Sequence, residues 1–279
     1  MSLRTLPPEW RDWVHENVRR GCVAETMLPM LLQGGFAPAL AQAALDEAFG
    51  GHALPEPAPV PRPGPRLEDG NTLDAGDRGV RVLSLLESPR VVHFGGLLSG
   101  DECDALVALA EGRLEPSTVV DDVAGAFVTH ADRTSAGACF QRGEFALVAT
   151  LERRIAALLH WPVDHGEGLQ VLRYAPGAEY KAHFDFFDPD KPGSAIHLAE
   201  GGQRVGTLVM YLCDVEAGGG TGFPRLGFEV RPAKGDAVFF TDVDAQGRVD
   251  PRTLHAGLPV LRGHNVIATK WLRQRQHGG

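Results

Sequence analysis

The chain lacks the features that mark disulfide-stapled, membrane-spanning or polyanion-binding proteins. Its four cysteines are widely spaced and form no C-x-x-C pair, which favours buried, reduced thiols. No uninterrupted apolar run approaches the roughly 20 residues of a membrane helix, and the first residues carry no signal-peptide core. Acidic residues outnumber basic ones by 36 to 27, which disfavours a wrapped nucleic acid. We therefore expect a cytoplasmic protein with no membrane and no nucleic-acid partner.

Two common catalytic patterns are missing as well. No Ser-His-Asp or Cys-His arrangement stands out, and the glycines at 218–220 are not followed by the Lys-Ser/Thr of a P-loop. What the chain does contain is 34 glycines, 20 prolines and 43% apolar residues among its 279 residues. This composition predicts a buried core built from short strands and many turns rather than a helical bundle.

Residues 1–50 predict a small bundle of three amphipathic helices. The first begins at Pro7-Pro8 and continues with apolar residues at helical spacing from Trp10. The second ends at Gly34-Gly35 and the third at Gly50-Gly51. The pattern loosely resembles ubiquitin-associated-type modules. It leaves two interpretations open, a module that binds a protein partner and a purely structural cap.

Residues 51–66 predict a linker. Proline alternates with other residues from Pro55 to Pro65. Because proline fixes φ and biases the preceding residue towards extended geometry, the segment should form a semi-rigid spacer. A ligand for an SH3-type domain is the alternative interpretation. The run marks a boundary between the helical module and a domain at 67–279.

The third segment predicts an α+β domain. Ser99 is a good N-cap for a helix from Asp101 to Leu114, and a second helix is expected from Gly143 to His160. β-rich runs separated by turns follow, at Leu169–Tyr174, Val205–Leu212, Gly227–Val230, Ala237–Phe240 and Asn265–Leu272. Since strands and helices do not alternate regularly, we expect helices that buttress an antiparallel sandwich or barrel.

A His-x-Asp pair is the first sign of chemistry. His183 and Asp185 would share one face of an extended strand and offer a metal one nitrogen and one hard oxygen. A third ligand must come from a distant strand, and His255 is the candidate. Two histidines and one carboxylate are the set that redox Fe(II) uses with O₂. Short His-x-Asp pairs are common by chance, so the surrounding sequence is needed to tell whether this one binds a metal.

A series of motifs runs in one order from about Arg90 to the C terminus. They are Asp132-Arg133-Thr134-Ser135, Leu169–Tyr174 with Gly177 and Tyr180, His183-Phe184-Asp185, Arg204–Leu212, Gly219–Pro224, Pro232–Phe240, His255–Val260 and Lys270-Trp271-Leu272. In this order and spacing they resemble the prolyl 4-hydroxylase family of Fe(II)- and 2-oxoglutarate-dependent dioxygenases. The resemblance does not extend to the N-terminal helices or the linker.

The resemblance implies a double-stranded β-helix (jelly-roll) core with the metal between its sheets. Carried over residue by residue, it makes His183, Asp185 and His255 the iron ligands and the catalytic centre. It assigns 2-oxoglutarate binding to Tyr174, Tyr180 and Thr207, and substrate binding to Arg133 and Arg204. The implied cofactors are Fe(II), 2-oxoglutarate and O₂, and ascorbate is compatible with them.

One position departs from the family pattern. Family members carry a Lys or Arg about ten residues after the second histidine, where its cation pairs with the distal carboxylate of 2-oxoglutarate, but this chain has Asn265. Lys270 is a poor substitute because strand alternation points it away from Asn265. Four explanations stay open: a cation from another strand, a hydrogen-bonded site of Asn265 with Thr207 that binds about tenfold more weakly, a different oxo acid, and metal binding without turnover.

Two functional hypotheses result. The first is a hydroxylase that acts on proline or another residue of a peptide or protein, with loops near 115–135 and 186–203 shaping the substrate pocket. A free amino acid or small metabolite is a variant of the first. The second is a metal-binding jelly-roll module for protein interaction whose 2-oxoglutarate turnover is weak or lost.

Overall fold

The computed structural model describes residues 3–50, 59–121, 123–130 and 132–278. The chain divides into two compact units, Met1–Ala58 and Pro59–Gly279. Within these described ranges, no helix is both long and apolar enough to cross a membrane. The second unit is α+β and is built on a large antiparallel sheet.

The first unit contains three α-helices, α1 (Pro8–Arg19), α2 (Ala24–Gln33) and α3 (Pro38–Ala48). Prolines occupy the first turn of α1 and of α3, where a missing N–H leaves no bond unmade. All three helices contribute to one apolar core of Val14, Met27, Leu31, Ala41, Ala44 and Leu45. Trp10 approaches the end of α2 so closely that a Cβ on Gly34 would lie 2.7 Å from the indole ring. The helix therefore ends at a residue without a side chain.

The proline-rich segment differs from the predicted linker in its second half. Residues 51–58 lie outside the described residues, whereas residues 59–66 belong to the second unit. Pro63 and Pro65 are buried there. Pro63 packs closely on the strand residue Gly206, since a Cβ added to Gly206 would lie 2.9 Å from the proline ring. An extended conformation is compatible with this packing, so the end of the proline run is part of the second unit rather than a free spacer.

The second unit contains the following elements. Its strands are β1 (Thr72–Asp74), β2 (Gly79–Glu87), β3 (Arg90–Gly95), β4 (Glu115–Pro116), β5 (Thr118–Val120), β6 (Phe127–Thr129), β7 (Ala136–Phe140), β8 (Leu169–Tyr174), β9 (Tyr180–His183), β10 (Arg204–Tyr211), β11 (Ala217–Gly218), β12 (Thr221–Phe223), β13 (Phe228–Val230), β14 (Ala237–Thr241), β15 (His255–Gly257), β16 (Val260–Arg262) and β17 (Asn265–Arg273). Its α-helices are α4 (Gly100–Glu111), α5 (Ala146–Leu159) and α6 (Ser194–Ala199). The five strands expected from the sequence are present, each with ends within one residue of the prediction.

The strands form two facing sheets and two short pairs. Nine strands make one antiparallel sheet in the order β1-β2-β3-β14-β10-β17-β8-β7-β4, and four make a second sheet in the order β13-β12-β15-β9. The pairs β11-β16 and β5-β6 stand beside them. The second sheet carries both histidines of the predicted triad at its β9-β15 edge.

Alternate residues of the central strands enter two different cores. On β14, Phe239 packs into the core beneath α4 and α5, whereas Val238 and Phe240 pack between the two sheets. β10 divides in the same way, with Met210 on the helix side and Tyr211 between the sheets. This two-residue period follows from strand geometry. One face of the large sheet therefore faces the histidines.

Helix α4 begins where the sequence predicted an N-cap. The Ser99 hydroxyl accepts a hydrogen bond from the N–H of Glu102, and the Glu102 carboxylate accepts one from the N–H of Ser99. This reciprocal capping box satisfies two otherwise unpaired donors. The helix ends at Glu111, earlier than the predicted Leu114, because the chain turns after Gly112 towards β4.

Candidate active site

Strand pairing brings the three predicted metal ligands together. His183 ends β9, His255 begins β15, and the antiparallel register places them directly opposite each other. Asp185 follows the end of β9, so the expectation that it shares a strand face with His183 was wrong. Its carboxylate oxygens lie 3.7 Å from Nε2 of His183 and 3.4 Å from Nε2 of His255. The three ligand atoms all lie within 4.8 Å of one another, close enough to share one metal ion.

Main-chain carbonyls fix the tautomer of both histidines. Nδ1 of His183 lies 2.7 Å from the carbonyl oxygen of Lys181, and Nδ1 of His255 lies 3.1 Å from that of Thr253. A carbonyl can only accept a hydrogen bond, so each Nδ1 carries the proton and donates it. Each Nε2 therefore presents its lone pair towards Asp185, which is the arrangement a metal-binding histidine needs.

The surroundings set the protonation states of these groups. Burial lowers the pKa of His183 to about 3, with a smaller contribution from His255. Burial alone would raise the pKa of Asp185, but the adjacent His255 and His183 hold it well below its ordinary range. A neutral His183 and an ionised Asp185 are the forms that bind metal at neutral pH, because bound ligands must be deprotonated.

Two cavities meet at the triad. The outer cavity, about 510 Å³, lies between the β5-β6 hairpin and residues 186–194. These are parts of the loops predicted to shape a substrate pocket. The inner cavity lies between the two sheets and measures about 40 Å³, room for about three water molecules. Tyr180, His183 and Asp185 line both cavities.

The inner cavity is lined by apolar side chains together with several polar groups. Its polar lining outside the triad consists of Arg133, Tyr174, Tyr180, Thr221, Thr269 and Trp271. Burial raises the pKa of Tyr174, and the positive charge of Arg133 together with a hydrogen bond to Ser135 partly offsets this rise. The Thr221 hydroxyl accepts a hydrogen bond of 2.8 Å from the Tyr211 hydroxyl, which leaves its own proton free to donate.

Two of the residues predicted to bind 2-oxoglutarate lie elsewhere. Thr207 does not line the inner cavity, and its hydroxyl donates to the buried carboxyl of Asp242 at 3.0 Å. Asn265 lies opposite Tyr174 in the strand pairing, but its side-chain amide donates to the carbonyl of Gly219 at 2.9 Å. Its other polar atom, Oδ1, is buried and has no hydrogen-bond partner in the described residues. Tyr174 and Tyr180 line the cavity as predicted.

Thr221 is a cavity residue that the sequence prediction missed. It follows a run of glycines and belongs to β12, where it pairs with Gly257 of the strand that carries His255. This pairing places it beside the triad, and the Gly219–Pro224 motif that contains it does not by itself show that contact. The prediction that Lys270 points away from the cavity is confirmed, since its ammonium makes a buried ion pair of 2.6 Å with Glu152 of α5.

Arg204 lines the outer cavity and braces the metal site. It donates to both carboxylate oxygens of Glu167, at 2.7 and 2.8 Å, and to the main-chain carbonyl of Asp185 at 3.3 Å. Its guanidinium lies over the Trp271 ring, 4.0 Å from the centroid. Burial would raise the pKa of Glu167, but Arg204 and Arg273 lower it to about 2. The positive charge of Arg204 in the lining of the outer cavity is thus neutralised by Glu167.

Arg133 occupies a different place from the one predicted. Arg133 was predicted to bind substrate, but it lines the inner cavity and not the outer cavity. Only 8% of its surface is exposed. Two of its N–H groups donate at 2.8 Å to the carbonyl of Thr118 and to the side-chain amide oxygen of Gln170. Its guanidinium lies over the Tyr180 ring at 4.8 Å, and its main chain bridges to the same residue.

Comparison with known proteins identifies this arrangement. A family model described as the 2OG-Fe(II) oxygenase superfamily matches residues 169–273. Prolyl 4-hydroxylase 1 of Arabidopsis thaliana is 39% identical over 223 residues, which span 75% of this chain and 76% of that protein. The chain belongs to the prolyl 4-hydroxylase family. Prolyl 4-hydroxylase 5 of the same plant is 36% identical over 223 residues, 73% of each chain.

A solved structure of the prolyl 4-hydroxylase family shares the fold. It is the viral collagen prolyl hydroxylase of Paramecium bursaria Chlorella virus-1 in its 2OG complex, 32% identical in sequence with a TM-score of 0.52. The match covers 66% of this chain and 95% of the viral chain. Prolyl 4-hydroxylases are 2-oxoglutarate-dependent dioxygenases, and the family uses Fe(II), 2-oxoglutarate and O₂.

The residues present fit both of the groups that the prolyl 4-hydroxylase family requires. Two free Nε2 atoms and one ionised carboxylate are the facial set that suits Fe(II) and leaves coordination positions open. The adjoining inner cavity offers hydroxyl donors and one guanidinium, which suit a carboxylate. Bound Fe(II) would activate O₂, which is the oxidant both for 2-oxoglutarate and for the substrate C–H bond.

Proposed function

We propose that this chain hydroxylates proline in a peptide or protein substrate. The supporting observation is that the triad lies between an inner cavity suited to a carboxylate and an outer cavity of about 510 Å³. The reaction would consume one O₂ and one 2-oxoglutarate. One oxygen atom would enter the substrate C–H bond, and the other would enter succinate as CO₂ is released.

The outer cavity supports a peptide substrate. Its walls combine the aromatic side chains of Tyr180, Phe184 and Phe187 with charges of both signs. Aromatic rings suit a proline ring, and the polar walls suit the main chain on either side. A groove between the β5-β6 hairpin and residues 186–194 would hold an extended segment over the triad.

The chain's own residues would position the reactants and exclude water. His183, Asp185 and His255 would hold the metal on one face, and Arg204 would fix the loop that carries Asp185 through its carbonyl. Apolar residues between the sheets, including Val209 and Ile267, would keep bulk water from the inner cavity. The two facing sheets would form the double-stranded β-helix implied by the resemblance, with the nine-stranded sheet as its larger half.

Peptide hydroxylation can be tested directly. Purified protein with Fe(II), 2-oxoglutarate and O₂ would be incubated with synthetic Ala-Pro repeats and with Pro-Pro-Gly repeats. We expect mass spectrometry to find one added oxygen on proline and an equal amount of succinate. His255→Ala provides the inactive control. Succinate formation without any hydroxylated peptide, across a wider set of proline peptides, would redirect the proposal to a small-molecule substrate.

A second candidate is a metal-binding interaction module with weak or lost turnover. Asn265 favours it, because this residue brings no charge to the position where the family carries a cation. Anaerobic titration of the Fe(II) protein with 2-oxoglutarate separates the two candidates. A visible metal-to-ligand charge-transfer band supports the hydroxylase. Its absence at millimolar 2-oxoglutarate would favour the module.

The remaining expectations stay predictions. The three N-terminal helices form a core of their own, and a protein-binding role for them rests on the sequence pattern. The cytoplasmic location and the absence of a membrane or nucleic-acid partner rest on composition and charge.

A further inference from the structure

Arg133 is a buried cation that forms no ion pair with any of the described carboxylates. It is 92% buried, and in the described residues its guanidinium donates to two neutral oxygens, the carbonyl of Thr118 and the side-chain amide oxygen of Gln170. Its Nε–H is buried and has no hydrogen-bond partner in the described part of the chain. A guanidinium has five N–H donors, and an uncompensated buried charge is costly. Such a group is suited to an anion that arrives from outside the chain.

The other buried cations near the site are already neutralised. Arg204 forms a two-pronged pair with Glu167, which also accepts from Arg273. Lys270 is paired with Glu152 on the helix side of the sheet. Among the described residues that line the inner cavity, Arg133 is the only lysine or arginine. The cavity therefore has a single permanent positive charge.

The groups around Arg133 favour a carboxylate. Tyr174 and Thr221 bring hydroxyl groups to the same cavity as Arg133. The cavity has room for about three water molecules, which is enough for a carboxylate group. The main-chain bridge between Arg133 and Tyr180 fixes the segment in place against β9.

Asn265 does not provide a positive charge for a bound carboxylate. The Asn265 amide is used by the carbonyl of Gly219, and the residue carries no charge. We propose that Arg133 binds the distal carboxylate of 2-oxoglutarate, supplying from a separate segment the positive charge that position 265 of β17 lacks. This role rests on the proposed function, since it requires that the site bind 2-oxoglutarate.

Binding measurements with two oxo acids test the role without turnover. 2-Oxopentanoate has the same carbon chain and the same oxo acid end as 2-oxoglutarate but no distal carboxylate. Both would be titrated anaerobically into the protein loaded with Mn(II), with affinities read by calorimetry. We expect Arg133→Gln to weaken 2-oxoglutarate binding by about tenfold to a hundredfold, because a charge-assisted bond becomes a neutral one. Its affinity for 2-oxopentanoate should stay within about twofold.

Two further variants sharpen the test. Arg173→Gln is the matched control, since Arg173 precedes Tyr174 on β8 but is exposed and does not line the cavity. It should change neither affinity. Asn265→Lys placed in the Arg133→Gln protein should restore at least part of the 2-oxoglutarate affinity, because it returns a cation to the strand beside Tyr174.

Each outcome decides a separate claim. Equal losses for both oxo acids, or unchanged 2-oxoglutarate affinity, would overturn the role of Arg133 and leave the proposed function standing. Failure of the unaltered protein to bind 2-oxoglutarate would overturn both. If Arg133→Gln does not fold, the same two oxo acids would be titrated into Arg133→Lys and into the unaltered protein. Equal affinity of the unaltered protein for the two oxo acids would then exclude any cation at the distal carboxylate.

Discussion

His183 and His255 face each other across the β9-β15 pair with their ring centroids 4.3 Å apart. Each ring is oriented by a main-chain carbonyl two residues earlier, so the backbone of β9 and of the turn before β15 sets the direction of both Nε2 atoms. The ligand geometry is therefore built into the strand register. Asp185, just beyond β9, completes the set.

The first prediction concerns metal affinity. His255→Ala should weaken Fe(II) or Mn(II) binding by more than about a hundredfold, because a three-residue facial set has no spare protein ligand. Anaerobic metal titration followed by paramagnetic resonance measures this loss. His264→Ala, at an exposed histidine nine residues further along the chain, is the control and should bind normally. Unchanged metal stoichiometry in His255→Ala would refute the assignment.

The second prediction separates two threonines. Thr221→Val should weaken 2-oxoglutarate binding by about tenfold, because it removes a hydroxyl donor from the inner cavity. Thr207→Val should leave that affinity unchanged and lower the free energy of unfolding by about 1–3 kcal/mol, because it leaves the buried Asp242 carboxyl without its partner. Calorimetric titration and denaturant unfolding provide the two readouts. The reverse pattern would restore Thr207 as the cosubstrate residue.

The third prediction is a pH dependence of stability. Glu167 has a pKa of about 2 in the folded protein, below the ordinary value of 4.5, so it stabilises the fold above pH 4.5. That contribution is lost as the pH falls from 4.5 towards 2. Glu167→Gln should therefore cost about 3 kcal/mol at neutral pH, and the difference from the unaltered protein should shrink in acid.

Denaturant unfolding at several pH values measures this dependence. Glu216→Gln is the control, because Glu216 pairs with Arg262 at the exposed surface, where ion pairs contribute little. A Glu167→Gln difference that stays constant down to pH 2 would show that the carboxylate charge does not stabilise Arg204 and Arg273.

The fourth prediction concerns Lys270. Lys270→Met should lower the free energy of unfolding by about 3–5 kcal/mol, because Glu152 is left as a buried charge without its cation. Adding Glu152→Gln should recover part of the loss, since glutamine can still accept the hydrogen bond from the N–H of Gly143. Both proteins should bind 2-oxoglutarate normally. Weakened binding in either one would contradict the placement of Lys270 away from the cosubstrate.

Strand periodicity predicted the parts of the site that depend on a single segment. It placed β8, β10, β14 and β17 within one residue of their observed ends and turned Lys270 away from the cavity. The family resemblance, not periodicity, assigned Thr207 to 2-oxoglutarate binding. It could not show that Asp242, from a different strand end, occupies the Thr207 hydroxyl.

Other features depend on which segments meet, and a single sequence does not specify that. Strands β1 to β3 precede α4 and were not predicted, although the pairing of β3 with β14 adds all three to the large sheet. The proline run predicted extended backbone, but a free spacer and a packed segment share that geometry. The approach of Arg133 to the inner cavity required the bridge to Tyr180, which joins residues far apart in the chain.

The shared wall between the two cavities has a thermodynamic consequence. Because Tyr180, His183 and Asp185 line both spaces, a ligand that fixes these side chains from one side also changes the surface offered on the other. Cosubstrate and peptide affinities should then depend on each other. Thermodynamic linkage requires the change in affinity to be reciprocal. The factor by which bound 2-oxoglutarate changes the affinity for peptide must equal the factor by which bound peptide changes the affinity for 2-oxoglutarate.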